Sequence, residues 1–438
     1  MKTTFKKIIT YILILESRLV LWKYKPKIVA ITGSVGKTST KDAVYAVLSK
    51  FTYVRKSEKS YNSQIGLPLT VLGCTNGWND PMAWFKNICF GFWLFVWPHK
   101  YPEWLVLEVG VGKPGDMKQT ASWLKTNAVI ITAIGETPAH IEFFSSRDNL
   151  IEEKSGLIKT LKKNGILILN ADDDAVLGMK NKCKNRVVTY GFNEKSDVTG
   201  ASENIFYDDS VSVGNSFNEP KGIIFRVDTG GSSLPVIIEG VFGINHVYAS
   251  LASIAFAYGL KFNIVDAVNS LKKYDVPPGR MRLISGINNS LILDDTYNSS
   301  PFACISALKT LSEVKTKGKK IAVLGDMLEL GKHTEDAHRD IGKYAKDHSD
   351  ILFVVGPRAK TIAVGAMENG MLKENIFEFG SSFEAGDFLK TFINEGDLIL
   401  VKGSQGMRME KTVEKIMAHP EQKNKFLVRQ EEEWIAKK

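Results

Sequence analysis

The chain has 438 residues, which is too long for one ordinary core and predicts two or three domains. Its four cysteines include no CxxC pair and no Cys/His cluster with zinc-ligand spacing, which argues against a structural zinc site and favours a reducing, cytoplasmic compartment. The formal net charge of +9 is uneven, because residues 1–30 hold seven Lys and Arg against a single Glu.

The first 26 residues are predicted to form a basic amphipathic arm. Apolar side chains recur there at the i, i+3, i+4 spacing of a helix, at Phe5, Ile8, Ile9, Ile12, Leu15, Leu19 and Trp22. Cations beside an apolar helical face suit an anionic membrane surface better than nucleic acid. Peripheral contact with the inner membrane face is therefore one hypothesis, a helix packed on the next domain is the other, and no nucleic acid partner is expected.

A second apolar run covers Ile88–Trp97 and is ten residues long. A helix that crosses a bilayer needs about twice that length, so this run cannot span a membrane alone. It is predicted to be either a buried hairpin or helix, or an aromatic patch at the membrane interface beside the arm.

Short β-rich runs then alternate with helical stretches, which predicts an α/β fold with a mainly parallel sheet. The first runs are KIVAIT, WLVLEVG, AVIITAIG and GILILNADD. Residues 186–240 have polar alternation and Gly, Ser and Asp turns, so an antiparallel flap is expected there. The prolines that end Asp275–Pro278 predict the boundary between a central domain at 27–278 and a smaller, Rossmann-like α/β domain at 279–438.

The segment after the first run has the pattern of a P-loop-type phosphate-binding loop, GxxGKT. Its N–H groups and the following helix N-terminus would bind phosphates, Lys37 would reach the terminal phosphates, and Thr38 would help to hold Mg²⁺. The residues predicted to bind ATP here are Gly33, Ser34, Gly36, Lys37, Thr38 and Ser39. Ile31 stands where the full GxxxxGK[ST] pattern has a glycine, so an incidental glycine turn is the alternative.

Two further polar residues follow neighbouring predicted strands, Glu108 in LVLEVG and His140 in the loop after AVIITAIG. Ligands gather at the carboxyl ends of strands in open α/β sheets, so both are expected to face the phosphate loop. On this pattern alone, a metal-binding role and an ordinary solvated position stay open for both.

Together these motifs resemble the Mur ligase family, of the MurF type, over about residues 27–438. Similar segments in the first part are the phosphate loop (TGxxGKT/S in the family), Asn62–Thr70, Glu108–Gly115 (EMGxxxPGEI), Ala139–Glu142 (AHLE) and Glu153–Gly156 (AKGE). The resemblance implies that Glu108 binds Mg²⁺, that His140 contributes to a second metal site and that Asn62 contacts the substrate. It also implies a carbamylated Lys154, with a plain surface lysine as the alternative, and catalytic roles for Lys37, His140 and Lys154.

The last third of the chain carries four more segments of this kind. They are Gly279-Arg280 (GR in the family), Asp294–Pro301 (DDSYNANP), Gly325–Gly331 (GDMLELG, followed by His338) and Lys402–Ser404 (KGS). The resemblance implies that the nucleotide is bound by Arg280 and Asp295, with Asn245 and His246 on the adenine side. It further implies substrate contacts by Asn298, Lys402 and Ser404.

Three features depart from the family pattern. Only about thirty residues precede the phosphate loop, where MurF has a uridine-binding domain of ordinary domain size. The adenine-side motif has its Asn and His exchanged in Asn245-His246. The loop before His140 is longer than usual, and Ala133 replaces an asparagine.

The resemblance implies an ATP-dependent ligase that forms an amide bond through an acyl phosphate, adding D-Ala-D-Ala or a similar amino acid or dipeptide to a small-molecule cell-wall precursor. A Mur-type ligase for a different, membrane-bound acceptor is the alternative that the short N-terminal part favours. A P-loop NTPase switch is a third hypothesis. The lack of a hydrophobic strand ending in a Walker-B Asp counts against it, as do DDTYNSSP and GDMLELG.

Overall fold

The computed structural model describes residues 3–58, 61–136, 138, 140–207 and 219–435. Lys2 of the predicted arm, Ala139 of the AHLE-like segment and residues 208–218 of the predicted flap lie outside these ranges. The strands are β1 Lys27–Thr32, β2 Val54–Lys56, β3 Trp104–Glu108, β4 Thr126–Ile131, β5 Leu161–Asn170, β6 Arg186–Gly191, β7 Val198–Tyr207, β8 Pro220–Thr229, β9 Ser232–Glu239, β10 Arg282–Ser285, β11 Leu291–Asp295, β12 Lys320–Gly325, β13 Ile351–Val355, β14 Ile376–Phe379 and β15 Leu398–Lys402.

The α-helices of the described residues fill the connections between these strands. They are α1 Thr3–Tyr24, α2 Lys37–Leu48, α3 Gly66–Leu72, α4 Pro81–Val96, α5 Asp116–Ala121, α6 Arg147–Ser155, α7 Asp174–Leu177, α8 Ile244–Gly259, α9 Ile264–Ser270, α10 Pro301–Glu313, α11 Thr334–His348, α12 Lys360–Glu368, α13 Ser382–Phe392, α14 Glu410–Ile416, α15 Lys423–Phe426 and α16 Glu432–Ile435. The predicted α/β fold is confirmed.

The first sheet has nine strands in the order β2-β3-β1-β4-β5-β6-β7-β8-β9. Pairing is parallel as far as β7, and β7, β8 and β9 pair antiparallel. The expected antiparallel flap is thus present from β7 onward, but the prediction was wrong for β6. The crossover through α7 returns the chain in the same direction, so Arg186 of β6 pairs in parallel with Ile166 of β5. The β8–β9 turn uses Gly230 and Gly231, both at positive φ, which suits a tight hairpin.

Strand β1 is buried on both faces, as expected for a parallel strand covered by helices. Alternate side chains enter different cores: Val29 packs with residues of α2 and α8, whereas Ile28 packs with residues of α1 and α3. This sandwich fixes the carboxyl end of β1, where the phosphate loop begins.

The second sheet has six strands in the order β10-β11-β15-β12-β13-β14 and is parallel except for β10. Helices α10, α11 and α12 contribute to the core on one face, and α13 and α14 to the core on the other. The carboxyl ends of β11, β12 and β15 carry Asp295, Gly325 and Lys402, so these three motifs meet at one edge.

Helix α1 has apolar side chains on two faces. Ile9, Leu13 and Val20 are buried in the core of the first sheet, which is the packing that the second hypothesis for the arm predicted. Phe5, Ile8, Leu15 and Trp22, which belong to the predicted apolar stripe, are exposed. The helix is therefore both a packed element and a carrier of exposed apolar groups.

The apolar run Ile88–Trp97 lies mainly in α4, which packs against α1. Lys23 joins the two helices, since its ammonium donates to the carbonyl oxygens of Leu94, Phe95 and Trp97 at 3.0, 2.8 and 2.6 Å. Carbonyls at a helix C-terminus lack intrahelical partners, so a cation there stabilises the end of α4. Among the helices that the structure describes, none is long and apolar enough to cross a membrane.

Candidate active site

The phosphate loop connects the end of β1 to α2. A Cβ on Gly33 would lie 2.0 Å from Oγ1 of Thr132, directly after β4, and Gly36 has φ 83°, so both positions require glycine. In the described structure no side chain caps the N-terminus of α2. The first N–H groups of this helix therefore remain available to an anion.

Several polar side chains lie in or beside the phosphate loop. Lys37 Nζ donates to the carbonyl oxygens of Gly33 and Ser34 at 2.9 and 3.1 Å. Burial lowers the pKa of Lys37, and the carboxylate of Glu108 opposes that effect. The buried atoms Ser34 Oγ and Arg280 Nε have no hydrogen-bond partner within the described ranges. Leaving buried polar groups unpaired costs free energy, so both atoms are available to bind a ligand.

Not all loop amides are free, because the N–H groups of Ser34 and Val35 both donate to the carbonyl oxygen of Ala133, at 2.6 and 3.2 Å. Ala133 is the residue that replaces the family's asparagine. Thus the loop after β4 contacts the phosphate loop through its backbone at this position.

Thr38, Glu108 and Asn62 form one hydrogen-bonded group beside the loop. Thr38 Oγ1 donates to one carboxylate oxygen of Glu108 and Asn62 Nδ2 donates to the other, both at 2.9 Å. Within the described residues, no three His, Cys, Asp or Glu cluster as metal ligands would. Mg²⁺ commonly uses one or two protein oxygens and completes its shell with phosphate and water, so the Thr38 hydroxyl and the Glu108 carboxylate fit such an ion.

Lys154, at the end of α6, is buried with 2% of its surface exposed, and its Nζ donates to the carbonyl oxygen of Gly33 at 2.9 Å. Burial, with a further contribution from the nearby charge of Lys37, lowers the pKa of Lys154 well below its usual range. The position does not match a plain surface lysine. It places a weakly basic amine against the phosphate loop.

His140 faces the second sheet. Its Nδ1 lies 2.5 Å from a carboxylate oxygen of Glu329, in the GDMLELG segment, and both residues have positive φ. A carboxylate partner on one ring nitrogen orients an imidazole for a role at the other nitrogen. Glu329 was not predicted as a site residue, although its motif was recognised.

The arginine of the GR motif reaches the phosphate loop. Arg280 Nη2 donates to Thr38 Oγ1 at 3.3 Å, and its guanidinium stacks over the Tyr297 ring at 4.0 Å. Gly279 N–H donates to the buried carboxylate of Asp294 at 3.0 Å. Burial raises the pKa of Asp294 to about 6. The DDTYN segment therefore holds the backbone from which Arg280 extends.

Three predicted ligands of the second domain bind other protein groups. Asp295 and Lys402 form a buried ion pair at 2.6 Å, and Lys402 also donates to the carbonyl oxygen of Asn298. Ser404 Oγ accepts from Leu328 N–H at 2.8 Å. These contacts shape the loops at the carboxyl ends of the strands, and the expected ligand contacts of Asp295, Lys402 and Ser404 stay predictions.

A cavity of about 640 Å³ lies beside the start of α2 and is lined by Gly36, Thr40, Asn245 and Tyr248. Asn245 lines this cavity, and its contact with the adenine side of a nucleotide stays a prediction. Tyr248, whose hydroxyl donates to Asp172 at 2.9 Å, and Asp172, which also lines the cavity, were missed by the sequence analysis. Tyr248 follows the Asn245-His246 pair and Asp172 lies within the run GILILNADD, but neither has a distinctive spacing.

His246 is buried and turned away from this cavity. Burial lowers its pKa to about 4, so the ring is neutral. Its Nε2 donates to the carbonyl oxygen of Arg280 at 2.8 Å, because a carbonyl can only accept, and its Nδ1 then accepts from the Tyr274 hydroxyl at 3.1 Å. The ring therefore holds the backbone of Arg280 in place, and the expected nucleotide contact by His246 stays a prediction.

A second cavity, of about 940 Å³, starts at the other side of the phosphate loop. Ser34, Lys37, His140 and Lys154 line its inner end, and Asn62 borders it. Its outer part is lined by α1. The phosphate loop therefore separates two cavities, and Lys37 faces the larger one.

Comparisons with known proteins agree with this geometry. The family model described as Mur ligase middle domain matches residues 31–257, and the one described as Mur ligase, glutamate ligase domain, matches residues 279–405. UDP-N-acetylmuramoyl-tripeptide--D-alanyl-D-alanine ligase of Bacillus subtilis (strain 168) is 30% identical over 397 residues, which cover 90% of this chain and 76% of that protein.

Solved structures resemble the whole arrangement. The MurF ligase from Thermotoga maritima in complex with ADP has a TM-score of 0.75 and 25% identity, and the match covers 93% of this chain and 83% of that one. A pseudomurein peptide ligase type C from Methanothermus fervidus shares the fold, with a TM-score of 0.62, 21% identity and coverage of 90% and 80%.

Proposed function

This chain belongs to the Mur ligase family, and from that premise we propose that it is a MurF-type ligase that uses ATP to join a carboxylate to an amine through an acyl phosphate. The observation that carries the proposal is that Lys37 and Lys154 both bind the carbonyl oxygen of Gly33 and line the larger cavity, while Gly36 of the same loop lines the smaller one. A nucleotide in the smaller cavity and a carboxylate in the larger one would meet at the phosphate loop.

In the first step, a carboxylate oxygen of the acyl substrate attacks the γ-phosphorus, and ADP leaves. In the second step, the amine attacks the acyl carbon, loses a proton, and phosphate leaves with one former carboxylate oxygen. Lys37 and Arg280 neutralise the charge that develops on the phosphoryl oxygens, and the loop amides orient the group. Neither of these two reaction steps needs a covalent bond between the substrate and a residue of the protein.

We further propose that Mg²⁺ is held by Thr38 and Glu108, with Asn62 fixing the carboxylate. When bound, Mg²⁺ would offset negative charge on the phosphates. His140 would complete a second metal position through Nε2, since Nδ1 faces Glu329.

Lys154 is proposed to be carbamylated. Its neutral amine would attack CO₂, forming an N–C bond and releasing one proton, so that the buried ammonium is replaced by a carboxylate. That anion would relieve the repulsion by Lys37 and supply oxygen ligands next to His140. The low pKa of Lys154 supports the reaction, because only the uncharged amine is a nucleophile.

Residues 276–280 are proposed as the hinge and domain boundary between the two sheets. Pro277 and Pro278 stiffen the approach, and Gly279 at φ 70° turns the chain directly before Arg280. Movement there would carry Arg280 and Glu329 toward or away from Thr38 and His140, so closure would assemble the catalytic groups.

The proposed substrates are a cell-wall peptide precursor as the acyl donor and D-Ala-D-Ala as the amine, as named for the Bacillus subtilis relative. The test is mass spectrometry of products after incubation of UDP-N-acetylmuramoyl-tripeptide and D-Ala-D-Ala with ATP, together with phosphate release. Release that requires both substrates supports a ligase. Phosphate release at an undiminished rate without them would indicate an NTPase switch instead.

A second proposal concerns location: the enzyme works on the cytoplasmic side, resting on the inner membrane surface. Trp22 of α1, Phe92 of α4 and Trp97 directly after α4 are exposed by 70, 63 and 64%. The cations Arg18 of α1 and Lys86 of α4 are exposed as well. Large exposed apolar groups beside cations suit an anionic interface, where each cation is worth about 1 kcal/mol.

Deleting α1 would not test this proposal, because the helix contributes Ile9, Leu13 and Val20 to the core. The cleaner variant is Trp22→Ser/Phe92→Ser/Trp97→Ser, and the matched control removes three exposed apolar groups elsewhere, Val265→Ser/Leu372→Ser/Phe383→Ser. Co-sedimentation with anionic vesicles at low salt should fall for the first variant and persist for the control. A wild-type protein that ignores anionic vesicles would rule the proposal out.

A further inference from the structure

The larger cavity has two cationic ends. Lys37 lines the inner end at the phosphate loop, while Lys6 and Lys7 of α1 line the outer part together with Tyr11. A substrate that fills the cavity of about 940 Å³ would therefore meet positive charge at both of its ends. The reacting carboxylate of the acyl substrate would neutralise the positive charge at the inner end only.

The charge of the outer part is not neutralised by the protein. Within the described ranges Lys6 and Lys7 have no ion-pair partner, and Asp116 is the sole carboxylate among the residues that line the cavity. Asp116 already accepts hydrogen bonds from Gln64 Nε2 and from the N–H groups of Gly112 and Lys113, each at 3.0 Å. These hydrogen bonds hold the turn before α5 in place, and Asp116 does not neutralise the charge of Lys6 and Lys7.

Lys6 and Lys7 lie on a helix, α1, that is packed against the core of the protein. The next turns of α1 bury Ile9 and Leu13 in the core, and Thr10, also buried, donates to the carbonyl oxygen of Lys6 at 2.8 Å. A cationic pair on a packed helix loses less conformational freedom on binding than a pair on a mobile segment does. An anion bound by Lys6 and Lys7 would therefore lie at a fixed distance from the phosphate loop.

We propose that Lys6 and Lys7 form a subsite for a phosphate or diphosphate group that the acyl substrate carries at the end remote from its reacting carboxylate. The inference rests on the proposed function for the identity of the inner group, a carboxylate. Two ammonium groups match the multiple negative charges of a diphosphate, and Tyr11 and Thr10 border the same space.

Such a group has two sources, a nucleotide diphosphate or a lipid-linked diphosphate. The first would place its nucleoside outside the cavity over α1. The second would lead its lipid chain toward the exposed apolar groups of α1 and α4, which begin beside the same lysines with Phe5 and Ile8. The phosphate chemistry is common to both.

The test measures equilibrium binding to the full chain, with the nucleotide cavity saturated by ADP. The probes are UDP-N-acetylmuramoyl-tripeptide and the same N-acetylmuramoyl-tripeptide without uridine diphosphate. The wild type should bind the diphosphate form about tenfold more tightly, and Lys6→Ala/Lys7→Ala should abolish the difference without weakening the shorter probe. A lipid-linked diphosphate probe in neutral vesicles, compared in the same way, identifies the source.

The control variant is Arg18→Ala/Lys86→Ala, which removes two cations from the same helix pair but not from the cavity. It should keep the preference for either diphosphate probe. The proposal is overturned if the wild type binds neither diphosphate form more tightly, if Lys6→Ala/Lys7→Ala weakens both forms equally, or if the control loses the preference too. A probe that binds as expected but is not ligated would contradict the proposed function and leave the subsite standing.

Discussion

Lys37 and Lys154 donate hydrogen bonds to one acceptor, the carbonyl oxygen of Gly33, at 2.9 Å in each case. Two ammonium groups on a single carbonyl repel each other, and the burial of Lys154 adds to the cost of charging it. Replacing the ammonium of Lys154 by an anion would remove this repulsion and stabilise the charge on Lys37. The geometry of the loop therefore favours carbamylation of Lys154.

The first prediction is that Lys154→Ala loses most ligase activity and regains part of it when short carboxylic acids such as acetate are added. The added carboxylate would occupy the place of the carbamate. Lys154→Arg, which keeps a positive charge but cannot be carbamylated, should stay inactive under the same conditions. Lys159→Ala, an exposed lysine nearby, is the control. Full activity of Lys154→Ala without any additive would show that the carbamate is not required.

The second prediction concerns Glu108, whose oxygens are held by Thr38 and Asn62. Glu108→Gln should raise the Mg²⁺ concentration needed for half-maximal activity by about tenfold or more, because a hard cation loses a charged oxygen ligand. Glu103→Gln, which alters an exposed carboxylate near β3, should titrate as the wild type does. An unchanged Mg²⁺ titration for Glu108→Gln would exclude this residue as a ligand.

The third prediction is that Lys37→Ala lowers kcat by about 10²-fold to 10³-fold, since the ammonium acts on charge that develops during phosphoryl transfer. The thermal unfolding midpoint should change little, because the ammonium of Lys37 binds, among the described residues, only carbonyl oxygens of its own loop. Lys50→Ala, just beyond the other end of α2, should retain wild-type kcat. Turnover at the wild-type rate in Lys37→Ala would refute the assigned role of the phosphate loop.

The fourth prediction uses pH. Glu16 is 7% exposed beneath α4, its Oε2 has no hydrogen-bond partner among the described residues, and burial raises its pKa from 4.5 to about 7. The folded chain therefore holds a proton that the unfolded chain releases between about pH 4.5 and 7. Its contribution to stability is complete below that window and is lost as the pH rises through it. The nearby Cys74 thiol, with a pKa raised to about 12, stays neutral throughout.

Glu16→Gln should accordingly raise the free energy of unfolding at pH 8 by about 1 to 2 kcal/mol relative to the wild type, with a much smaller difference at pH 5. Chemical unfolding at the two pH values measures this. Glu58→Gln, at an exposed site, should have no pH-dependent effect. Equal shifts at both pH values for Glu16→Gln would mean that Glu16 does not titrate in this window.

Local motifs were predictable where one short segment determines the geometry. The phosphate loop is such a case, because Gly33 and Gly36 must be glycines for the backbone to pass Thr132 and to enter α2. The parallel sheet also followed from apolar runs spaced by helices. Strand β6 was misassigned because its polar alternation is a property of side chains, whereas its direction depends on the crossover before it.

Contacts between distant segments could not be predicted from the sequence. The pairing of His140 with Glu329 and the reach of Arg280 to Thr38 depend on how the two sheets dock. Asn245 and His246 were assigned one role, yet successive residues on a helix point about 100° apart, so only Asn245 lines the cavity.

The most direct test of the central claim follows one oxygen atom. The acyl substrate is prepared with ¹⁸O in its reacting carboxylate, and the phosphate released with ATP and the amine is analysed by mass spectrometry. Ligation through an acyl phosphate predicts one ¹⁸O atom in the phosphate for each amide bond formed from fully labelled substrate. Phosphate without ¹⁸O would contradict the account, because its oxygen would then come from water and ATP cleavage would not have activated the carboxylate at the phosphate loop.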